Sequence, residues 1–109
     1  MEENINDWIS KKITSNDVVL FMKGTPETPQ CGFSSQVVQI LNYLGIEFSS
    51  VNVLENESIR NGIKEYTNWP TIPQLYVKNE FIGGADIVRE MFEENELKEF
   101  LKDKGIATN

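Results

Sequence analysis

The feature that most constrains the fold is an uninterrupted apolar segment, Val18–Met22, with the sequence VVLFM. Side chains of a strand alternate between its two faces, so a strand that is apolar throughout is buried on both of them. We therefore predict a central strand inside a mixed α/β sheet. The chain of 109 residues has room for one such domain, spanning residues 1–109 with a core from about residue 5 to about residue 104.

Apolar residues at helical spacing predict helices on both sides of this strand in the sequence. They fall in residues 5–13, residues 37–44, residues 59–66 and residues 87–101. Gly45 is a stop signal for the second of these helices, and Asn56 is a cap for the third. The pattern in residues 87–101 predicts either one broken helix or two short helices.

Three further strands are predicted, at residues 47–53, 74–78 and 81–83, with the last two joined as a hairpin near Asn79-Glu80. Two strands connected through a helix are parallel, and a hairpin adds antiparallel strands to the same sheet. The sequence thus predicts an α/β fold with a four-stranded mixed sheet flanked by helices. A thioredoxin-like sandwich is the best of a few compatible topologies.

The chain has one cysteine, Cys31, and no histidine. An intramolecular disulfide, a zinc site of four cysteines or of paired cysteines and histidines, a Ser-His-Asp triad and a Cys-His dyad need residues that this chain lacks. Any chemistry of Cys31 therefore involves an outside partner. The 10 Lys and Arg residues against 17 Asp and Glu give a net charge of -7, which argues against a nucleic-acid ligand.

Residues 1–12 include the acidic Glu2, Glu3 and Asp7 and no continuous apolar stretch, so we expect neither a secretory signal nor an Arg-rich transit peptide. No apolar run approaches the ~20 residues that cross a bilayer, and we expect no membrane partner. A lone unpaired thiol suits a reducing compartment. We therefore expect a soluble, cytoplasmic protein.

The residues around Cys31 indicate a reactive thiol. A loop with one glycine and two prolines, residues 23–30, leads into the second helix, so Cys31 lies at a helix N-terminus. Free backbone N–H groups and the helix dipole favour thiolate there, and Lys23 can add a positive charge if the loop folds back. Gly32 leaves room for a ligand. The alternative is an ordinary buried, inert cysteine.

A second signal is Thr71-Ile72-Pro73, a proline at the entry to a strand. A cis peptide bond before Pro73 would leave the backbone N–H and C=O of Ile72 free to pair with an extended peptide. A plain trans-proline turn is the alternative.

Four blocks, in this order, resemble a monothiol glutaredoxin of the CGFS type: KGTP from Lys23, CGFS from Cys31, NWPTIPQL from Asn68 and GGAD from Gly83. Ser34 stands where dithiol glutaredoxins have a second cysteine. The resemblance implies a thioredoxin fold, a cis-proline at Pro73 before the third strand, and a glutathione site.

The resemblance also implies a role for individual residues in that site. Lys23 and Arg60 match the positions that hold the glycine carboxylate of glutathione, and Ile72 matches the residue whose backbone pairs with its cysteinyl part. Ala85 and Asp86 match the pair that anchors the γ-glutamyl end.

Two of these assignments have structural alternatives, and one further residue can extend the site. Without the resemblance, Arg60 would be a solvated helix residue, as most arginines are. Asp86 can also be a helix N-cap, a role that leaves one carboxylate oxygen free. Lys64, one helical turn beyond Arg60, can widen the basic patch.

In the family that the blocks resemble, the matching cysteine is both redox-active and a ligand of a [2Fe-2S] cluster. Such a cluster needs about four thiolate-type ligands, and one chain supplies only Cys31. The resemblance implies a homodimer bridged by the cluster, with two glutathione thiols completing the ligands. We therefore predict a role in iron-sulfur cluster assembly and transfer to apo recipient proteins.

Two alternative functions use the same site. One is glutathione-dependent thiol-disulfide exchange, in which Cys31 attacks a protein-glutathione mixed disulfide. The other is a redox-inert adaptor, and the resemblance implies a BolA-like protein as its partner.

Overall fold

The computed structural model of the chain describes residues 4–109 and divides them into four strands, five helices and one 3₁₀ turn. In chain order these are α1 (Ile5–Thr14), β1 (Val18–Met22), α2 (Gly32–Tyr43), β2 (Ser49–Asn52), the 3₁₀ turn (Val53–Glu55), α3 (Glu57–Thr67), β3 (Gln74–Val77), β4 (Glu80–Gly83), α4 (Ala85–Glu93) and α5 (Glu96–Asp103). Two of the acidic residues near the N-terminus, Glu2 and Glu3, lie outside the described residues.

The strands form one mixed sheet in the order β2-β1-β3-β4. β1 pairs with β2 in parallel and with β3 in antiparallel orientation, and β3 pairs with β4 as an antiparallel hairpin. This is the predicted thioredoxin-like arrangement, a four-stranded mixed sheet flanked by helices. The peptide bond between Ile72 and Pro73, immediately before β3, is cis.

Both faces of β1 are covered, as its apolar sequence predicted, and all five of its residues are buried. Val18, Leu20 and Met22 pack with buried residues of α2, α4 and α5, whereas Val19 and Phe21 pack with those of α1 and α3. Burial of one such side chain contributes about 1.5 to 3 kcal/mol. The helices therefore form two layers, with the sheet between them.

Two strands end one residue earlier than predicted, β2 at Asn52 and β3 at Val77. β2 ends at Asn52, short of the predicted residue 53, because the Asn52 Oδ1 accepts from Leu54 N at 3.0 Å and starts the 3₁₀ turn. The hairpin turns at Lys78 and Asn79, both with positive φ, as a two-residue type I′ connection requires. The C-terminal stretch is two helices, and none of the helices in residues 4–109 has the length and apolarity to span a membrane.

Candidate functional site

A tightly closed loop places Cys31 at the start of α2. Gly24 and Pro29 form an isolated antiparallel bridge, and the carbonyl of Lys23 accepts from Gln30 N at 2.9 Å. Gly24 has φ +91°, and a Cβ there would lie 2.6 Å from Gln30 N. Only glycine fits this turn, which returns the chain to the end of β1. Cys31 then becomes the N-cap of α2, as predicted.

The environment of Cys31 favours its thiolate. The backbone N–H of Ser34, in the first turn of α2, is the largest influence and lowers the pKa of Cys31. Burial opposes this, while the N–H of Phe33, the Lys23 ammonium and the Ser34 hydroxyl lower the pKa further. Cys31 is free and partly exposed, so the alternative of a buried, inert cysteine does not describe it.

Ser34 links the cysteine helix to the end of β1. Its side chain is fully buried, and its Oγ accepts a hydrogen bond from Lys23 N at 3.1 Å. Because that oxygen accepts from the backbone of Lys23, its own proton is free to face Cys31. The residue that stands in place of a second cysteine therefore ties the end of β1 to the helix that begins after Cys31.

A cleft of about 460 Å³ opens beside Cys31, within the size range of small-molecule sites. The structure brings four of the predicted binding residues to its walls together with the cysteine: Lys23, Ile72, Ala85 and Asp86. They come from the end of β1, the turn before β3 and the start of α4.

The backbone of Ile72 is available to a ligand. The residue is buried, with 6% of its surface exposed, and within residues 4–109 neither its N–H nor its C=O has a hydrogen-bond partner. Unpaired backbone groups beside a cleft are a ready partner for an extended peptide. Ile72 thus lies at the cleft with its backbone groups unpaired, and its role in binding the cysteinyl part of glutathione stays a prediction.

The first turn of α4 also lines the cleft. Gly84 is its N-cap, so the alternative of Asp86 as the N-cap is wrong. A Cβ on Gly84 would lie 3.3 Å from the carbonyl oxygen of Pro73, and this close approach brings the helix against the turn. The free N–H groups of the first turn can bind a carboxylate. The exposed Asp86 carboxylate lies 3.6 Å from the Arg89 guanidinium.

Arg60 does not line this cleft. It lies in an adjoining depression of about 300 Å³, and Lys64 lines both spaces. In the described part of the chain, Lys23, Arg60 and Lys64 form no ion pair with a carboxylate. In these described residues, a protein of net charge -7 thus leaves three cations without a carboxylate partner, distributed over two adjoining spaces. The glycine-carboxylate role of Arg60 stays a prediction, and Lys64 is the nearer second cation.

Sequence reasoning assigned no role to four residues that shape this site. Phe33, with 58% of its surface exposed, and Trp69 line the cleft. Ser34 anchors Lys23, and the buried Gln74 contacts the turn before Ile72. Phe33 and Trp69 lay inside the quoted blocks, but their positions depend on tertiary contacts that no local pattern reveals.

Comparison with known proteins gives a consistent result. The family model for glutaredoxin matches residues 18–82. A Synechocystis sp. protein named as a monothiol glutaredoxin is 57% identical over 94 residues, covering 86% of this chain and 88% of the relative. The solution structure of a monomeric truncated mutant of Trypanosoma brucei 1-C-Grx1 superposes with a TM-score of 0.89 at 44% identity, covering 99% of this chain and 98% of that one.

A more distant structure shares the fold. The crystal structure of a buckwheat glutaredoxin-glutathione complex has a TM-score of 0.82 at 23% identity, covering 94% of this chain and 92% of that one.

Proposed function

The chain belongs to the glutaredoxin family, as one of its monothiol members, and we propose that it binds glutathione beside Cys31 and carries a labile [2Fe-2S] cluster. The observation that carries this proposal is the position of the sole thiol at the edge of the 460 Å³ cleft. The cluster is cargo, acquired and handed on in iron-sulfur cluster assembly.

The charges and backbone groups of the cleft suit glutathione, which has two carboxylates and one ammonium. Lys23 in the cleft attracts the glycine carboxylate, together with Lys64, which also lines the cleft, or Arg60 in the adjoining depression. The N–H groups at the start of α4 suit the γ-glutamyl carboxylate, and the exposed Asp86 suits the ammonium. The related buckwheat glutaredoxin, solved with glutathione, supports this choice of ligand.

The thiol count supports a cluster that is shared between two chains. A [2Fe-2S] cluster takes about four ligands, and the chain has one cysteine and no histidine. Two protomers with two bound glutathione thiols complete the set. Because half of these ligands are exchangeable small molecules, the cluster is labile, which suits transfer to apo recipient proteins.

The surface around Cys31 also suits a protein partner. Phe33, the second residue of α2, exposes 58% of its surface at the edge of the cleft. Aromatic side chains at the centre of an interface can contribute much of the binding energy. We propose that Phe33 contacts the second protomer in the cluster-bound homodimer, and a BolA-like partner in a mixed complex.

Anaerobic reconstitution tests the proposal. Protein incubated with iron, sulfide and glutathione should become coloured and elute as a dimer in size-exclusion chromatography, whereas omission of glutathione should leave it colourless. Cys31→Ser is the matched control. Protein that stays a colourless monomer with glutathione present would contradict the carrier role.

A second candidate function is monothiol reduction of glutathione mixed disulfides, and the lowered pKa of Cys31 favours it. The Cys31 thiolate attacks the glutathione sulfur, the mixed disulfide bond breaks, and the substrate thiolate leaves and takes a proton. Glutathione then attacks the Cys31-glutathione disulfide, which yields oxidised glutathione and the free thiolate. Release of glutathione from a glutathionylated peptide at a rate above that of Cys31→Ser would support this activity.

The compartment and the remaining partners follow from the same chemistry. The free thiolate and the exchangeable glutathione ligands need a reducing compartment, so we propose the cytoplasm. The third candidate, an adaptor without redox activity, would bind a BolA-like protein equally well with Cys31→Ser. A complex that forms only with the wild-type thiol and the cluster would favour the carrier role over the adaptor.

A further inference from the structure

A buried glutamine lies directly behind the turn that presents Ile72 to the cleft. Gln74, the first residue of β3, has 0% of its surface exposed. Its Nε2 donates to the carbonyl oxygens of Trp69 and Thr71, each at 3.2 Å. Both carbonyls belong to the turn that precedes the cis bond, so one side chain holds the turn at two points.

The other half of the Gln74 amide is fixed from the protein interior. Its Oε1 accepts from the Tyr76 hydroxyl at 2.9 Å and lies 3.1 Å from the Thr67 Oγ1, at the end of α3. Burial raises the pKa of Tyr76, so the hydroxyl keeps its proton and remains a donor. Backbone carbonyls only accept, so the NH₂ group must face the turn. The orientation of the amide is therefore determined on both sides.

The bond to Thr71 sets the direction of the Ile72 N–H. The peptide between Thr71 and Ile72 is trans and planar, so its carbonyl and its N–H point in opposite directions. The carbonyl is bonded to the buried Gln74, and the N–H therefore points away from the interior, on a residue that lines the cleft.

We propose that Gln74 is a positioning residue that fixes the turn of residues 69–73 and so aims the Ile72 N–H at the cysteinyl backbone of glutathione. This inference rests on the proposed binding of glutathione. Gln74 touches no ligand itself. Without its two donor bonds the turn samples other conformations, and the apparent affinity falls with the fraction of molecules that keep the binding geometry.

The test compares two substitutions in the same hydrogen-bond network by calorimetric titration with glutathione. Gln74→Met removes both bonds to the turn and should raise the Kd about tenfold, as expected when the competent conformer falls to about a tenth. Tyr76→Phe removes one interior bond but leaves both bonds to the turn, and should change the Kd by less than about twofold. Both variants should lower the melting temperature. A loss of glutathione affinity in Gln74→Met alone would therefore reflect the position of the turn and not a general loss of stability.

An NMR readout reports on Ile72 directly. In the wild type the Ile72 amide peak should shift on addition of glutathione, and in Gln74→Met it should shift far less. If Gln74→Met does not fold, Gln74→Glu takes its place, because its carboxylate still accepts from Tyr76 but cannot donate to the turn. In the unaltered chain, the side-chain amide protons of Gln74 should exchange slowly with solvent, and fast exchange would overturn the proposal.

The outcomes distinguish this inference from the function on which it rests. Wild-type protein that takes up no glutathione overturns the proposed function and this inference with it. Wild-type protein that binds glutathione, with Gln74→Met binding equally tightly, overturns the role of Gln74 alone.

Discussion

Replacement of Ser34 by alanine tests how the cysteine helix and the end of β1 are joined. The substitution removes the acceptor that lies 3.1 Å from Lys23 N and leaves that N–H without its partner. An unpaired, partly buried donor costs about 1 to 2 kcal/mol of unfolding free energy. For a domain of this size that loss lowers the melting temperature by about 4 to 8 °C per kcal/mol.

The same substitution should also affect the site. Lys23 loses its tie to α2, so glutathione affinity should fall. The Ser34 hydroxyl is the smallest of the influences that lower the pKa of Cys31, so that pKa should rise only slightly. The thiolate is the reactive form, and a higher pKa moves the pH at half-maximal alkylation upward.

Ser35→Ala is the matched control, because Ser35 is the next residue on α2 and, among residues 4–109, its Oγ accepts from the exposed Gln39 side chain alone. Urea unfolding gives the stability of both variants, alkylation by iodoacetamide gives the thiol profile, and calorimetry gives the glutathione affinity. Ser35→Ala should stay within about 0.5 kcal/mol of the wild type. If Ser34→Ala matched Ser35→Ala in all three measurements, the linking role of Ser34 would be refuted.

The remaining predictions concern the thiol, the cation and the exposed aromatic ring. Cys31→Ser should abolish cluster binding with unchanged circular dichroism, because Cys31 is the sole protein thiol; an unchanged visible spectrum would contradict its role as ligand. The alkylation rate of folded wild-type protein should reach half its maximum at a lower pH than that of protein unfolded in urea, because the fold lowers the pKa of Cys31; equal midpoints would reject the stabilised thiolate. Lys23→Ala should weaken glutathione binding roughly ten- to hundredfold, because loss of a charge-assisted hydrogen bond costs about 1.5 to 3 kcal/mol. The control Lys98→Ala should leave the affinity unchanged, and equal affinities of the two variants would reject Lys23 as the carboxylate anchor. Phe33→Ala should lower the dimer fraction of cluster-loaded protein in analytical ultracentrifugation. The control is Tyr43→Ala, at the other end of α2 and 72% exposed, which should leave the dimer fraction unchanged. A full dimer in both variants would exclude Phe33 from the interface.

The sequence predicts those parts of the fold that local patterns determine. The apolar segment Val18–Met22 locates the central strand because burial on both faces requires it. The glycine and prolines before Cys31 locate the helix start, since they exclude regular structure. The candidate binding residues that line the cleft follow from the resemblance to a family whose sequence blocks keep their order along the chain.

The parts that escape prediction depend on contacts between distant residues. The Asn52 side chain accepts from Gly24 N at 3.0 Å, across 28 positions, and also ends β2. Arg60 lies on the same helix as Lys64 but faces an adjoining depression, which depends on how α3 packs against the sheet. The network of Gln74 joins a helix end, a strand and a turn. No spacing rule in the sequence encodes such tertiary hydrogen bonds.

The central claim is that one protein thiol per chain needs glutathione and a second chain to hold the cluster. Native mass spectrometry of protein reconstituted without air measures this composition directly. The account predicts one species that contains two chains, one [2Fe-2S] unit and two glutathione molecules. A cluster-loaded species without glutathione, or one with a single chain, would contradict it.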